Sequence, residues 1–277
     1  MLADLQIHSD ALPHHSSWRP GTLIPALKIA GIAVFAITDH NTTSGVVAMR
    51  AAADQAGLGF VSGCEVDSAH NGKLWHTLMY GIDPTHPDVR ALCASVDARN
   101  ATDATALIRQ LPAEGWRLPA FAPEGGRHTN VAEVARALAA YNDMPGRVDG
   151  DDEAAGMRFL LARPGSYNPP SVPEVIQVAH AAGGVALIAH PGRSKGVYAI
   201  PADAVDIAAF VAAGIDGIEV FYPAHTAAQV DFYLAQAKKH HLLISGGSDS
   251  HHPDQPLARW DALHMLPLLR RVGVLRG

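Results

Sequence analysis

The chain has 277 residues, 48% of them apolar and 17% charged, with a formal net charge of -6. That is the composition of a soluble globular protein long enough for one large α/β core, alone or carrying an insertion. It excludes a membrane span, which needs ~20 consecutive apolar residues, and it offers no basic run to track a long nucleic acid. No basic segment followed by an apolar run opens the chain, so a cytoplasmic protein is expected, with no membrane association and no obligate protein partner. Cys64 and Cys93 are too few for a disulfide framework or a thiolate zinc site. Histidine is abundant instead, at 16 residues against 21 Lys plus Arg.

In chain order, strand-like runs fall at 2–8, 33–38, 59–64, 74–80, 184–189, 217–221 and 242–245. Read as a strand, the first turns Leu5 and Ile7 one way and Asp4, Gln6 and His8 the other. Between the runs lie helix-like stretches. In GTLIPALKIAG, Leu23, Ile24, Leu27 and Ala30 share a helical face and Gly31 is a C-terminal stop. PEVIQVAHAAGG opens on Pro173 and closes on Gly183-Gly184, and AAQVDFYLAQAKKHH ends in cationic residues, both fitting a helix. This alternation favours a parallel α/β architecture. It breaks over 97–167, where ATALIRQL, VAEVARALAAY and DEAAGMRFLLA read as helices and no strand is evident. The expected organisation is a barrel domain of 1–96 and 168–277 with a helical insertion of 97–167.

Metal-binding residue types gather at the strand ends: Gln6 and His8, Asp39-His40, Glu65, His76, His190, and Asp249 with His251. Each has an ordinary explanation by itself. Asp39 is a candidate cap for the helix after it, and Pro191-Gly192 a simple turn. Together they stand where a (β/α) barrel carries its active site. His, Asp and Glu without Cys suit Zn²⁺, Mn²⁺ or Fe²⁺. His8, His40, Glu65, His76, His190, Asp249 and His251 exceed the four ligands of one tetrahedral zinc, so two or three divalent ions are expected.

DLQIHS, AITDHNT, GCEV, AHPG and GGSDSHHP, in that order, resemble the PHP (polymerase and histidinol phosphatase) superfamily of metal-dependent phosphoesterases, and the likeness runs over nearly the whole chain. GGRHTNVAEVARAL, FLLARPGSYNPPSVPEVIQVAHAAGGVALIAHPGR and IEVFYPAHTAAQ resemble the subgroup of nucleoside 3′,5′-bisphosphate phosphatases and 5′–3′ exoribonucleases. The resemblance implies an α/β fold, a distorted (β/α)₇ TIM-like barrel with a small helical insertion over the metal site, and two or three Mn, Fe or Zn ions. By position it makes His8, Glu65 and Asp249 ligands of one metal, with Glu65 bridging to a second held by His76 and His190, and His40 and His251 ligands of a third. It assigns Arg127 and Arg193 to the substrate phosphates. It places His225 as a phosphate contact or proton donor, so that His225 and Asp249 are the expected catalytic residues. The substrate implied is a small nucleotide with a terminal phosphate, or a short 5′-phosphorylated oligonucleotide, cleaved by metal-activated water.

Two positions depart from the family pattern. Gln6 stands where the first imidazole of His-x-His is usual. The Ser-Asp-Gly turn that normally follows is missing from SDALPHHSSWRPG, where Asp10 comes early and His14 or His15 are the candidate replacements. An amide oxygen binds transition metals less well than imidazole. Two other readings stand beside the main one: a phosphatase of another metabolite such as histidinol phosphate, and a metal- or nucleotide-binding module without turnover.

Overall fold

A computed structural model describes residues 1–12, 15–122, 127–150, 152, 154–193 and 201–275. In chain order its elements are β1 (Leu2–Ile7), α1 (Pro20–Ala30), β2 (Ile32–Ile37), α2 (Val46–Ala56), β3 (Gly59–His70), β4 (Lys73–Tyr80), α3 (Pro87–Ala113), α4 (Val131–Tyr141) and α5 (Ala154–Leu161). Then come α6 (Val172–Ala181), β5 (Val185–Ile188), α7 (Ala204–Ala212), β6 (Gly217–Phe221), α8 (Ala227–His240), β7 (Leu243–Gly246), β8 (Trp260–Asp261) and α9 (Leu266–Arg271). The described residues fall into two compact units, one from 1–93 and 170–275 and one from 94–169.

The first unit is a TIM-like barrel. Its strands lie in the order β7-β6-β5-β4-β3-β2-β1-β8. The chain after β7 returns to β1, where Asp249 N–H donates to the Gln6 carbonyl and His8 N–H to the Ser250 carbonyl, at 2.9 and 3.0 Å. Gly247 makes this closure possible. A Cβ there would stand 2.4 Å from the Gln6 nitrogen. Two-residue β8 pairs antiparallel with Leu2 and Ala3 and lies outside the seven barrel strands.

The sheet is not wholly parallel. β1–β2, β2–β3, β5–β6 and β6–β7 are parallel, while β4 is antiparallel to both β3 and β5. The cause is local. β3 runs on to His70, and Asn71-Gly72, both at positive φ, form a two-residue turn before His70 pairs with Lys73. Asn-Gly with left-handed backbone at both positions is the favoured hairpin turn, and two residues can join only antiparallel strands. The reversal has a consequence for the site. β4 presents its first half, with His76, at the end of the barrel where the parallel strands finish.

Inside the barrel, Ala3, Leu5, Val34, Ala36, Val61, Leu78, Tyr80, Val185 and Leu187 form one apolar cluster, continued by Met265, Leu268 and Leu269 of the C-terminal segment. Ile7 packs elsewhere, with Leu23 and Leu27 of α1, Met49 and Ala53 of α2, and Phe35. Leu5 and Ile7 therefore do not share a face as simple alternation predicts, because the register of β1 shifts between Asp4 and Ile7. Asp4 likewise parts from Gln6 and His8. Its oxygens accept the Ser248 and Ala258 N–H groups, each at 2.8 Å.

The second unit has its own core, in which Ala104, Leu107 and Leu111 of α3 meet Val134 and Leu138 of α4 and Met157 and Leu160 of α5. Gly156 permits the α4–α5 approach, since a Cβ there would overlap the Ala135 carbonyl. Asn130 and Glu133 cap α4 reciprocally.

Candidate metal centre

Glu65 lies at the middle of the polar end of the barrel and is fully buried. It enters from β3, held by its N–H to the Asp39 carbonyl (3.1 Å) and by Asn41 N–H to its own carbonyl (2.8 Å). Its two oxygens face different partners. Oε1 lies 2.7 Å from His76 Nδ1 and 3.0 Å from His190 Nε2, and those two nitrogens are 3.3 Å apart. Oε2 lies 3.2 Å from His8 Nε2 and 3.8 Å from His40 Nδ1, and accepts the Gln6 Nε2–H at 3.0 Å. Two donor atoms held at ~2.1 Å from one ion stand ~3.0–3.4 Å apart, a spacing met by His190 Nε2 and His8 Nε2 on Glu65 and by the His76–His190 pair, with His76 Nδ1 closer to Glu65 and His40 Nδ1 farther from it. One carboxylate with each oxygen turned to a different set is the arrangement of a bridge between two ions.

Asp249 completes the His8 side, 3.0 Å from His8 Nε2. His251 stacks on His8 with ring centroids 4.0 Å apart, and His8 on His40 at 4.5 Å. Among the described residues, four groups have ligand atoms within 4.8 Å of one another: Glu65, His76 and His190; His8, Glu65 and Asp249; His8, His40 and His251; and His40, Asp67 and His76. A fit to divalent ions is supported by atoms left over from the hydrogen bonding. Gln6 Oε1 and His40 Nδ1 are buried with no hydrogen-bond partner, a state that a bound cation relieves.

The electrostatics point the same way. Burial works against ionised Glu65, but His40, His76 and His190 around it hold its carboxyl well below the usual carboxylate range. Burial pushes His40 and His190 down, and His251 down to about 4, whereas against burial Asp249 and Glu65 hold His8 up at about 10 and Glu65 and Asp67 raise His76, so those two must give up a proton when a cation binds. Neutral imidazole is the form that ligates. His251 Nδ1 lies 2.7 Å from the Asp249 carbonyl, a contact that needs Nδ1–H and leaves Nε2 as the ligand atom.

The other expected residues are placed as follows. Asp10 stands apart from these groups, its carboxylate 3.0 Å from Arg19 Nε. His15 reaches the site, its ring edge-on to His251 at 4.5 Å, while His14 lies outside the described residues. Asp39 does not cap α2. Its carboxylate accepts the N–H and hydroxyl of Ser9 at 2.5 and 2.7 Å and ties the end of β1 to that of β2. Arg193 lies at the rim, its Nη1 4.0 Å from Asp249 Oδ2. Arg127 belongs to the second unit, with its guanidinium fork on both oxygens of Glu133 at 2.9 and 2.5 Å.

His225 differs from its expected role. Its Nδ1 donates to the Val220 carbonyl (2.8 Å) and its Nε2 accepts the Gly192 N–H (3.0 Å). Burial brings it down to about 4. With both ring nitrogens on backbone, no proton on this ring is directed at a substrate.

Three residues at the site escaped the sequence reading. Asp67 lies 3.4 Å from His76 Nε2; its signal is the i+2 relation to Glu65 on a strand that runs past the apolar 59–64 segment to His70. Tyr222 donates its hydroxyl to Asp249 Oδ2 at 3.2 Å, and Glu219 Oε2 accepts the His190 N–H at 2.8 Å. Both lie in IEVFYPAHTAAQ, where the resemblance drew attention to His225 and not to them.

Comparison with known proteins gives this geometry a family. The PHP domain model matches residues 4–122. A 5′-3′ exoribonuclease of Haemophilus influenzae is 31% identical over 90% of this chain and 90% of its own length. A 3′,5′-nucleoside bisphosphate phosphatase of Chromobacterium violaceum is 28% identical over 92% of this chain and 89% of its own. The crystal structure of a Bifidobacterium adolescentis protein, named as a candidate metal-dependent phosphoesterase, superposes with a TM-score of 0.72 at 26% identity and covers 97% of this chain and 96% of that one. The chain belongs to the PHP family, as a metal-dependent hydrolase of phosphate esters.

Proposed function

We propose that the chain releases the terminal phosphate of a small nucleotide, either a nucleoside 3′,5′-bisphosphate or a short 5′-phosphorylated oligonucleotide. The observation that carries this reading is the buried Glu65 carboxylate between two imidazole sets, supported by relatives named for nucleotide and RNA hydrolysis. Two or three divalent ions (Mn, Fe or Zn) would be held by His8, Glu65, Asp249, His76, His190, His40 and His251. Bound ions of this kind supply Lewis acidity to phosphoryl oxygens and activate water.

The chain's own residues do the rest. Glu65 and Asp249 supply the buried negative charge that holds cations, and the imidazoles supply lone pairs once His8 and His76 have released their protons. Arg193 presents a guanidinium at the rim, able to take a phosphate through two parallel hydrogen bonds. Gln6 orients Glu65 through its amide N–H and leaves its carbonyl oxygen to the site. A net charge of -6 favours small substrates over long polyanions, since few cations are available for backbone phosphates.

The test is inorganic phosphate release, with added Mn²⁺, from adenosine 3′,5′-bisphosphate, a 5′-phosphorylated dinucleotide and histidinol phosphate. An Asp249→Asn/His251→Asn protein is the control. Release from either nucleotide, abolished in the control, is the expected result. Release from histidinol phosphate alone assigns another metabolite. Metal binding without release from any of the three assigns a binding module.

A further inference from the structure

β6 contributes no ligand to any of the four metal groups, yet it lies between the strands that lead to two of the ligands. β5 precedes His190 and β7 precedes Asp249. Both residues sit in the left-handed backbone region, with φ of 25° and 57°, which non-glycine residues adopt only where surroundings enforce it. The restraints come from β6 and the segment after it. Fully buried Glu219 accepts the His190 N–H through Oε2. His225 accepts the Gly192 N–H, and Gln229 donates to the Gly192 carbonyl at 2.6 Å, so both backbone groups of Gly192 are fixed. On the other side Tyr222 holds Asp249 Oδ2, and Gly247 N–H donates to the Phe221 carbonyl at 3.0 Å. Gly192 has no room for a side chain, since a Cβ would stand 2.9 Å from both the His225 and Tyr233 rings.

We propose that β6 and its following turn are the positioning element of the metal centre, with Glu219 setting the backbone of His190 and Tyr222 the carboxylate of Asp249. His190 Nε2 lies 3.0 Å from Glu65 Oε1 only because the chain turns sharply at its Cα. Releasing its N–H removes the restraint that opposes relaxation to negative φ. The ligand then leaves the set while every ligand side chain remains present. The role of Glu219 is that of an acceptor, so a neutral amide of the same shape can fill it. This inference rests on the reading of the centre as a metal site, and its test is independent of any substrate.

The test compares the wild-type chain with Glu219→Leu, Glu219→Gln and Tyr222→Phe. Each is stripped with a chelator and titrated with Mn²⁺ by equilibrium dialysis, with near-ultraviolet circular dichroism as the fold control. Loss of a partner that orients a ligand weakens metal binding by ~10–100-fold. We expect that loss in Glu219→Leu at unchanged maximal stoichiometry, near-wild-type affinity in Glu219→Gln, and a smaller loss in Tyr222→Phe. Wild-type affinity in both a folded Glu219→Leu and Tyr222→Phe overturns the proposal. So does the loss of one equivalent of Mn²⁺ in Glu219→Leu and Glu219→Gln alike, which would make Glu219 a ligand. If Glu219→Leu does not fold, Glu219→Gln and Tyr222→Phe decide by the same criteria. A wild-type chain that binds no Mn²⁺ overturns the metal reading and this inference together. One that binds Mn²⁺ but releases no phosphate overturns only the proposed function.

Discussion

Along β1, Ala3 and Leu5 enter the apolar cluster of the barrel, while Gln6 and His8 enter the polar one, and none of the four is more than 1% exposed. The two ends of the barrel are equally dry and are held in different ways. At the apolar end Val61, Leu187 and Leu268 need only shape and area. At the polar end every buried charge needs a partner, because an unpaired one costs several kcal/mol. The lesson is that burial does not distinguish core from site here; the chemistry of the buried atoms does. At the polar end Gln6 Oε1 and His40 Nδ1 have no hydrogen-bond partner, whereas in the apolar cluster the Tyr80 hydroxyl donates to the Leu5 carbonyl at 2.7 Å.

The comparison can be broken at either end. The largest effect is expected at Glu65. Glu65→Ala removes both oxygens of the proposed bridge, and should weaken Mn²⁺ binding by more than the ~100-fold typical of an outer partner and abolish phosphate release. Equilibrium dialysis and a phosphate assay check this, and retained tight binding would remove Glu65 from the centre. At the apolar end, Leu187→Ala should cost ~2–5 kcal/mol of stability by leaving a cavity, read from denaturant unfolding of the metal-free chain, with Mn²⁺ stoichiometry unchanged.

Asp4 lies between the two regimes. Burial pushes its carboxyl up to about 7 despite hydrogen bonds from Ser248, Ala258 and Gln6. A carboxyl raised in the folded state stabilises fully below its unfolded pKa, and that contribution is lost as pH rises through the folded one. Wild type should therefore lose stability between about pH 4 and 7, at up to ~1.4 kcal/mol per pH unit. Asp4→Asn should lack this component, and the difference between their unfolding free energies across pH measures it. A constant difference would place the Asp4 carboxyl at its ordinary pKa. The smallest effect sharpens the polar end. Gln6→His exchanges an amide for an imidazole and should tighten Mn²⁺ binding by about tenfold; unchanged affinity would mean that position 6 faces no ion.

Much of this was legible in the chain itself. Strand-like runs separated by helical periods demand a layered α/β fold. His, Asp and Glu recurring at strand ends name a metal centre, because residue type and order along the chain set that chemistry. The reversal of β4 was also written locally, in Asn71-Gly72, whose two-residue turn brings His76 to the polar end from the opposite strand direction. Two things were decided only in the tertiary structure. The split between Leu5 and Ile7 depends on a register shift that alternation cannot foresee. The placement of Asp67, Glu219, Tyr222 and His225 depends on contacts across strands distant in sequence. A ligand's identity is a property of its side chain, but its aim is a property of the backbone that other residues hold.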